Sequence, residues 1–114
     1  MTSEGGLIEI RWHGRGGQGA KTASTLLAEA AAAAGMFVQG FPEYGPERMG
    51  APLLAFNRLS SQPITLHCQI QSPDVVIVLD PTLLDAVPVV DGLQEKGLVL
   101  VNTTEPAAAV ARRL

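Results

Sequence analysis

The sequence predicts an α/β protein with a Rossmann-like, open and mostly parallel sheet that carries an antiparallel hairpin at one edge. Three observations lead to this fold class. An apolar, strand-like segment enters a glycine-rich turn, a helix-prone segment rich in alanine and leucine follows, and two β-branched runs occur in the second half. At 114 residues the chain is long enough for one core, so we expect a single domain over residues 1–114.

The first half predicts a strand, a turn, a helix and a second strand. Residues 7–12 alternate apolar and polar side chains, which indicates a strand. Residues 20–34 are rich in Ala, Leu and Glu and stop at Gly35, a residue suited to the position after a helix. Residues 36–41 form a short apolar run. These segments predict a right-handed crossover between two parallel strands, which is half of a dinucleotide-binding fold.

A long loop and an antiparallel hairpin are expected next. Residues 42–52 contain three prolines and two glycines among polar side chains, which indicates an ordered loop rather than a helix or strand. Residues 53–60 and residues 64–68 are both strand-like and are separated by a short turn. We expect these two segments to pair with each other at one edge of the sheet.

Two buried parallel strands are predicted in the second half, over residues 74–80 and 98–102, because each is a continuous β-branched and apolar run. Asp80 and Pro81 suit the N-cap and the first position of a short helix between them. Residues 107–114 begin a helix that has little length. We therefore expect either a truncated domain or a sheet edge that a partner covers.

The composition argues against several classes of function. A net charge of −3 and a pI near 5.2 leave no broad basic surface, so nucleic acid is not an expected partner. Cys68 is the single cysteine, and no cluster of Cys or His suggests a metal ion or an iron–sulfur cluster in this chain. Neither a signal-peptide pattern nor an apolar run of roughly 18 residues is present. We therefore expect a cytoplasmic protein without membrane contact.

The glycine turn is the candidate ligand site. Gly14, Gly16 and Gly19 have the G-x-G-x-x-G spacing between a predicted strand and a predicted helix. Backbone N–H groups at the start of a helix, together with its dipole, stabilise a pyrophosphate, and glycine lets that group approach closely. Arg15 and Lys21 would add positive charge. The expected cofactor-binding residues are Gly14, Arg15, Gly16, Gly17, Gln18, Gly19 and Lys21.

Two further considerations concern this turn. In an alternative interpretation the glycines serve only a tight turn and close packing of helix on sheet, without a ligand. NAD is disfavoured, because residues 39–41 carry no acid at the strand end where an NAD site has one, and the nearest carboxylate is that of Glu43. Another nucleotide with a pyrophosphate is compatible with the pattern. His13, beside the turn, is left without an assigned role.

Three segments carry a family resemblance. Residues 11–20, 41–52 and 78–84, in this order, resemble the gamma subunit of pyruvate:ferredoxin oxidoreductase and of related 2-oxoacid:acceptor oxidoreductases. The resemblance implies a complex that decarboxylates a 2-oxoacid such as pyruvate on thiamine diphosphate, sends electrons through [4Fe–4S] clusters to ferredoxin, and delivers the acyl group to coenzyme A. It implies thiamine-binding alpha and beta subunits and a ferredoxin-like delta subunit as partners, with thiamine diphosphate and the clusters held outside this chain.

The same resemblance assigns parts to this gamma-type domain. The turn at residues 14–19 is expected in the coenzyme A region, and the later loop is expected to shape the site or a subunit contact. That loop set consists of Glu43, Tyr44, Gly45, Pro46, Glu47, Arg48 and Met49. No catalytic residue and no metal ligand is assigned to this chain, and the isolated chain is expected to be inactive. The rival interpretation is a structural or interaction module whose glycine turn only packs.

Overall fold

The computed structural model describes residues 6–43 and 49–114, which form an open sheet with helical segments on both faces. Within these residues the strands are β1 (Ile8–Arg15), β2 (Phe37–Pro42), β3 (Pro52–Ser60), β4 (Val75–Val78) and β5 (Leu98–Val101). The helical segments are α1 (Ala20–Ala33), a 3₁₀ turn (Pro81–Asp85) and α2 (Ala107–Ala111). Neither α1 nor α2 has the length and apolarity that a helix needs to cross a bilayer.

The sheet is mixed, with the strand order β2-β3-β1-β4-β5. Strand β1 pairs in parallel with β4, and β4 pairs in parallel with β5. Strand β3 is antiparallel to both β1 and β2. Four of the five strands in the described residues therefore point in one direction, and β3 is reversed between them. This arrangement confirms the predicted open α/β sheet.

The antiparallel pair at one edge of the sheet is formed by β2 and β3, whereas the predicted pairing of residues 53–60 with residues 64–68 is wrong. Residues 64–68 form no strand, and β3 pairs instead with β1 and β2, for example Ala55 with Trp12 and Phe56 with Phe41. Both edges of β3 are thus already hydrogen-bonded, so no edge is left for a hairpin partner. The segment after β3 is held by a side chain instead, since Nη2 of the buried Arg58 donates a hydrogen bond to the Cys68 carbonyl oxygen at 2.5 Å.

Two smaller corrections concern the neighbours of β1 and the burial of β5. The first crossover does join strands of the same direction, but β3 separates β2 from β1, so the two are not adjacent. Strand β5 lies at the edge of the sheet, and Leu98 and Leu100 are 39% and 49% exposed. The apolar run therefore predicted the strand correctly but overstated its burial, because only one of its faces is covered.

Helix α1 packs on one face of the sheet and ends where the sequence predicts. Its Ala31 lies in a core cluster with Ile10 and Trp12. Gly35 takes a φ of 89° and donates its N–H to the Ala32 oxygen at 3.0 Å, while Met36 donates to the Ala31 oxygen at 3.1 Å. These two bonds form a Schellman motif, for which glycine is the favoured residue because a β-carbon is strained at positive φ.

A buried side-chain network fastens β1 to β3 and α1, and it gives a stability prediction. Trp12 Nε1 donates to Asn57 Oδ1 at 2.7 Å, and Asn57 Nδ2 donates to the Ser24 oxygen at 3.0 Å. Asn57 is fully buried, so Asn57→Ala leaves an indole donor and a carbonyl without their partner. We expect the free energy of unfolding to fall by about 2 kcal/mol. Urea denaturation followed by fluorescence of the single tryptophan measures it, and the exposed Asn102→Ala serves as the control.

Candidate ligand site at the glycine turn

The glycine turn lies at a topological switch point of the sheet. Strands β1 and β4 are adjacent and parallel, so their carboxyl ends meet at one edge. The chain leaves β1 toward α1 on one face, where Ala31 packs against Ile10. It leaves β4 toward the 3₁₀ turn on the other face, where Leu83 packs in a cluster with Val76 and Val78. Open α/β sheets bind ligands in the crevice outside the strands at such a point.

The backbone of the turn requires glycine at two of its positions. Gly17 and Gly19 have φ angles of 90° and 86°, in the left-handed region that disfavours other residues. Gly19 is the N-cap of α1, no side chain caps the helix, and its first turn carries no acid. A β-carbon on Gly14 would lie 3.4 Å from Ala20 Cβ and 3.6 Å from Leu79 Cδ1. Gly14 therefore serves close packing of helix on sheet, whereas Gly17 and Gly19 shape the turn.

The first half of the turn is satisfied by internal hydrogen bonds. The N–H of Gly16 donates to the Ala51 oxygen at 2.9 Å, and its carbonyl accepts from the Gly50 N–H at 3.1 Å. Arg15 donates its backbone N–H to Gln18 Oε1 at 2.8 Å. The first N–H groups of a helix, by contrast, have no acceptor within that helix. The backbone donors that no bond inside α1 satisfies therefore lie at the second half of the turn, where α1 begins.

An ionic network joins the turn after β1 to the turn after β4. Arg15 Nε lies 3.2 Å from Asp80 Oδ2, and the guanidinium also donates to Thr82 Oγ1 at 3.1–3.2 Å. Gln18 Nε2 donates to Asp80 Oδ2 at 2.8 Å. Hydrogen bonds from the Thr82 hydroxyl, the Thr82 backbone and Gln18, with the charge of Arg15, lower the pKa of Asp80 to about 2. The predicted N-cap role of Asp80 is confirmed, and the carboxylate additionally fixes the glycine turn.

The remaining predicted site residues lie around the same turn. Lys21 is exposed in the first turn of α1. Glu43 is exposed after β2 and donates its backbone N–H to the Leu54 oxygen at 3.0 Å. Met49 is 86% exposed, forms a β-bridge with Gly16, and its sulfur lies against Gly17. The loop therefore rejoins the chain beside the glycine turn. Its other predicted members lie outside the described residues; they are Tyr44, Gly45, Pro46, Glu47 and Arg48.

Beside the turn, β1 places two buried polar side chains on the face opposite α1. Arg11 and His13 are 7% and 6% exposed, and Arg11 Nε donates to His13 Nε2 at 2.9 Å. Arg11 Nη2 donates to the carbonyl oxygens of Val89 at 2.8 Å and Asp91 at 2.7 Å. No role was predicted for His13, and its hydrogen bond with Arg11 was not predicted. The sequence contained an indication of this arrangement, because residues two apart on a strand, such as Arg11 and His13, share one face.

The environment of His13 keeps its imidazole neutral. Burial, and then the neighbouring charge of Arg11, lower the pKa of His13 to about 4, although a hydrogen bond with the Val89 backbone acts in the opposite direction. Because Nε2 accepts the Arg11 bond, we assign the ring proton to Nδ1. His13 therefore acts as a hydrogen-bond acceptor for Arg11 at neutral pH, not as a cation.

The family model described as pyruvate ferredoxin/flavodoxin oxidoreductase matches residues 9–113, which include the whole glycine turn. This chain belongs to the pyruvate ferredoxin/flavodoxin oxidoreductase family. The match confirms the resemblance that the three sequence segments indicated. Pyruvate/ketoisovalerate oxidoreductases common subunit gamma of Pyrococcus furiosus is a family relative with 55% identity over 108 residues, which cover 95% of this chain and 58% of that protein.

Solved structures of the family share the fold. The crystal structure of pyruvate oxidoreductase subunit PORC from Thermotoga maritima matches with a TM-score of 0.78 and 52% identity, over 94% of this chain and 56% of that one. A structure of 2-oxoglutarate:ferredoxin oxidoreductase from Magnetococcus marinus, with 2-oxoglutarate, coenzyme A and succinyl-CoA bound, matches with a TM-score of 0.55 and 31% identity, over 65% and 13% of the two chains. This chain spans 58% and 56% of the Pyrococcus and Thermotoga proteins.

Proposed function

We propose that this chain is the gamma-type component of a cytoplasmic 2-oxoacid:ferredoxin oxidoreductase that converts pyruvate to an acyl-CoA. The observation that carries the proposal is the family match over residues 9–113, which passes through both turns of the switch-point site. The Pyrococcus and Thermotoga relatives bear pyruvate in their names. The Pyrococcus protein is named as common to pyruvate and ketoisovalerate oxidoreductases, which supports placing the choice of 2-oxoacid on other subunits.

We assign binding and assembly to this chain and the redox chemistry to its partners. Thiamine-binding alpha and beta subunits would carry out the decarboxylation, and a ferredoxin-like delta subunit with [4Fe–4S] clusters would pass electrons to ferredoxin. Among the described residues, no group of three His, Cys, Asp or Glu side chains is placed to hold a metal ion. The exposed Met49 and the rest of the loop at residues 43–49 would form a contact with these subunits.

Coenzyme A is the nucleotide that we place at the glycine turn. The uncapped start of α1 offers backbone N–H groups and a positive dipole end to a pyrophosphate. Residues 39–41 at the end of β2 include no acid that could bind a ribose as in an NAD site. Gln39 donates to the Leu66 oxygen and accepts from Arg58, and Phe41 stacks on Phe56. The coenzyme A in the 31% identical Magnetococcus structure supports this choice.

The hydrogen bonds of the turn support a narrower set of residues for binding the pyrophosphate. Arg15 and Gln18 are bonded to Asp80, so both hold the turn in shape, and the charge of Arg15 is paired with that carboxylate. Gly16 uses both of its backbone polar groups within the chain. We therefore place the pyrophosphate against Gly17, Gly19 and the first residues of α1, with Arg15, Gly16 and Gln18 as the frame behind it.

Two glycines at opposite ends of α1 offer a matched test. Gly19 and Gly35 have φ angles of 86° and 89°, and no described atom lies within 4 Å of a β-carbon added to either. Alanine at each position should therefore cost a similar 1–2 kcal/mol of backbone strain. Gly19→Ala also projects a methyl group into the space where the pyrophosphate would approach. We expect it to raise the coenzyme A concentration for half-maximal activity about tenfold in the assembled complex, while Gly35→Ala leaves it unchanged.

Co-purification with the thiamine-binding subunits completes the test. Denaturant midpoints of the two variants must agree, which shows that strain is matched. If Gly19→Ala and Gly35→Ala assemble and use coenzyme A alike, the turn only packs, and the chain is the structural module of the alternative interpretation. If the wild-type chain does not associate with thiamine-binding subunits at all, the proposed function is wrong.

A further inference from the structure

A pocket of about 330 Å³ opens beside the glycine turn on the face opposite α1. Its walls are mostly apolar, its floor carries Arg11 and His13, and Glu43 and Asp91 stand at its exposed rim. Gly14 borders both the pocket and the glycine turn. The apolar walls are formed by Pro52, Leu53, Leu54, Leu83, Val87 and Pro88. Pockets of this size and lining, with a few polar groups converging on them, are typical of small-molecule sites.

Arg11 at the floor has N–H donors that form no hydrogen bond within the described residues. Its Nε and Nη2 donate to His13 and to the carbonyls of Val89 and Asp91. Nη1, which carries two further N–H groups, has no partner among the described residues, although Arg11 is 93% buried. Every fully buried side-chain nitrogen or oxygen in the described residues has a hydrogen-bond partner. Because Nη1 has none, this atom is not fully buried and reaches open space. The pocket is the open space that Arg11 lines.

The charges around the pocket favour a neutral acceptor over an anion. The partners of Arg11 are two carbonyls and the neutral His13, and among the described residues no carboxylate forms an ion pair with it. The carboxylate of Asp91 lies near enough to act on the Arg11 charge, and Glu43 shares the rim. Two rim carboxylates against one buried guanidinium disfavour the binding of a further anion at this place. An amide or ketone oxygen accepts from Nη1 without that repulsion.

We propose that this pocket binds an aliphatic chain that carries a neutral carbonyl oxygen. The oxygen accepts from Arg11 Nη1, and the aliphatic part packs on Leu53, Leu54 and Leu83. Two molecules present this chemistry: a free aliphatic amide or ketone, and the amide-containing pantetheine arm of coenzyme A. The second source rests on the proposed function, since the nucleotide would then lie at the glycine turn and the arm would pass Gly14 into the pocket.

Titrations of the full chain followed by ¹H–¹⁵N NMR test the proposal and separate the two sources. The probes are isovaleramide, isovalerate, pantetheine and ADP. We expect isovaleramide or pantetheine to shift the backbone amides of Leu53, Leu54 and Val89, with isovalerate, the same size but anionic, at least tenfold weaker. Pantetheine binding much tighter than isovaleramide identifies the coenzyme A arm. Isovaleramide alone identifies a free metabolite. If neither isovaleramide nor pantetheine shifts these amides, or if isovalerate binds as tightly as isovaleramide, the proposal is wrong.

Variants that fill the pocket locate the bound molecule. Leu54 lies opposite His13 in the β1–β3 pairing, so Leu54→Trp extends a large side chain over the floor. We expect it, and Val87→Phe as a second filling variant, to weaken the amide probe at least tenfold. Leu26→Trp, on the exposed side of α1, adds the same ring elsewhere and should leave binding unchanged. Unchanged binding by two folded filling variants would place the probe outside this pocket and overturn the proposal.

The ADP titration keeps this proposal separate from the proposed function. Shifts at Gly17 and Gly19 with ADP, without any pocket response to the amide probes, would remove the pocket proposal and leave the nucleotide site intact. Pocket binding of isovaleramide or pantetheine without any ADP response would support the pocket proposal and remove the nucleotide site at the glycine turn.

Discussion

Replacing Arg58 with alanine is expected to lower the free energy of unfolding by about 3–5 kcal/mol, because it breaks a buried ion pair and leaves its partners unmatched. Arg58 is 1% exposed, and its Nε donates to Glu9 Oε2 at 2.8 Å. Further bonds run to Gln39 Oε1 and to the Cys68 oxygen, and the guanidinium lies over the Phe41 ring. One side chain thus joins β1, β2, β3 and the segment after β3.

Arg113 provides the control for this measurement. Like Arg58, it forms ion pairs, here with the carboxylates of Asp85 and Glu105, but its side chain is 30% exposed. Solvent screens such pairs, so Arg113→Ala should change the free energy of unfolding by less than about 1 kcal/mol. Guanidinium chloride denaturation of both variants, read by circular dichroism, gives the comparison. A loss below 1 kcal/mol for Arg58→Ala would show that the buried network contributes little to stability.

Acid is expected to destabilise the fold through His13 as the pH falls below about 6.5. The pKa of His13 is about 4 in the folded protein, against 6.5 for the unfolded chain, because burial and Arg11 oppose the charged ring. Between these values the unfolded state binds the proton more strongly, so stability falls as the pH drops from about 6.5 to about 4. At 1.36 kcal/mol per pKa unit, the full loss is roughly 3 kcal/mol.

His13→Gln should remove this pH dependence, because a glutamine oxygen can accept from Arg11 but does not titrate in this range. His67→Gln is the control, since His67 is exposed and is the other histidine of the chain. Asp80 acts in a lower window. Its pKa falls from 3.8 to about 2 in the folded state, so its contribution is complete above 3.8 and is lost as the pH falls toward 2. Urea midpoints measured from pH 7 to pH 3 distinguish these effects; a wild-type midpoint that stays constant between pH 6.5 and pH 4 would contradict the His13 prediction.

The elements of this fold were predictable where local chemistry decides them. The β-branched run at residues 75–78 and the alanine-rich helix that stops at Gly35 formed as expected. The partners of β3 were not predictable from spacing, because proximity in sequence favoured residues 64–68 whereas β1 and β2 occupy both of its edges. Local pattern identifies a strand, but the choice of neighbours depends on contacts that the pattern does not contain.

The candidate site was likewise predictable where local sequence decides its structure and not where distant residues do. The glycine spacing predicted a tight turn at the start of a helix, and the structure has one, in which Gly17 and Gly19 take left-handed φ angles. Arg15 was expected to serve a phosphate, whereas it pairs with Asp80, a residue far away in sequence that had been interpreted separately as an N-cap. Arg11 had been assigned no role, and its place on the floor of a pocket follows from its position on the face of β1 opposite α1.

The central position of β1 has a consequence for how this chain folds. Ile10 pairs with Asn57 on one side and with Val75 on the other, so both neighbours of the first strand come from much later in the chain. Closing these long loops costs entropy before any pairing is gained, and proteins with such distant contacts fold slowly. On the ribosome, the hydrogen-bonding edges of β1 remain unpaired until β3 and β4 have been made. Among the described strands, β1 precedes the other four in the chain and yet is among the last to gain its backbone partners.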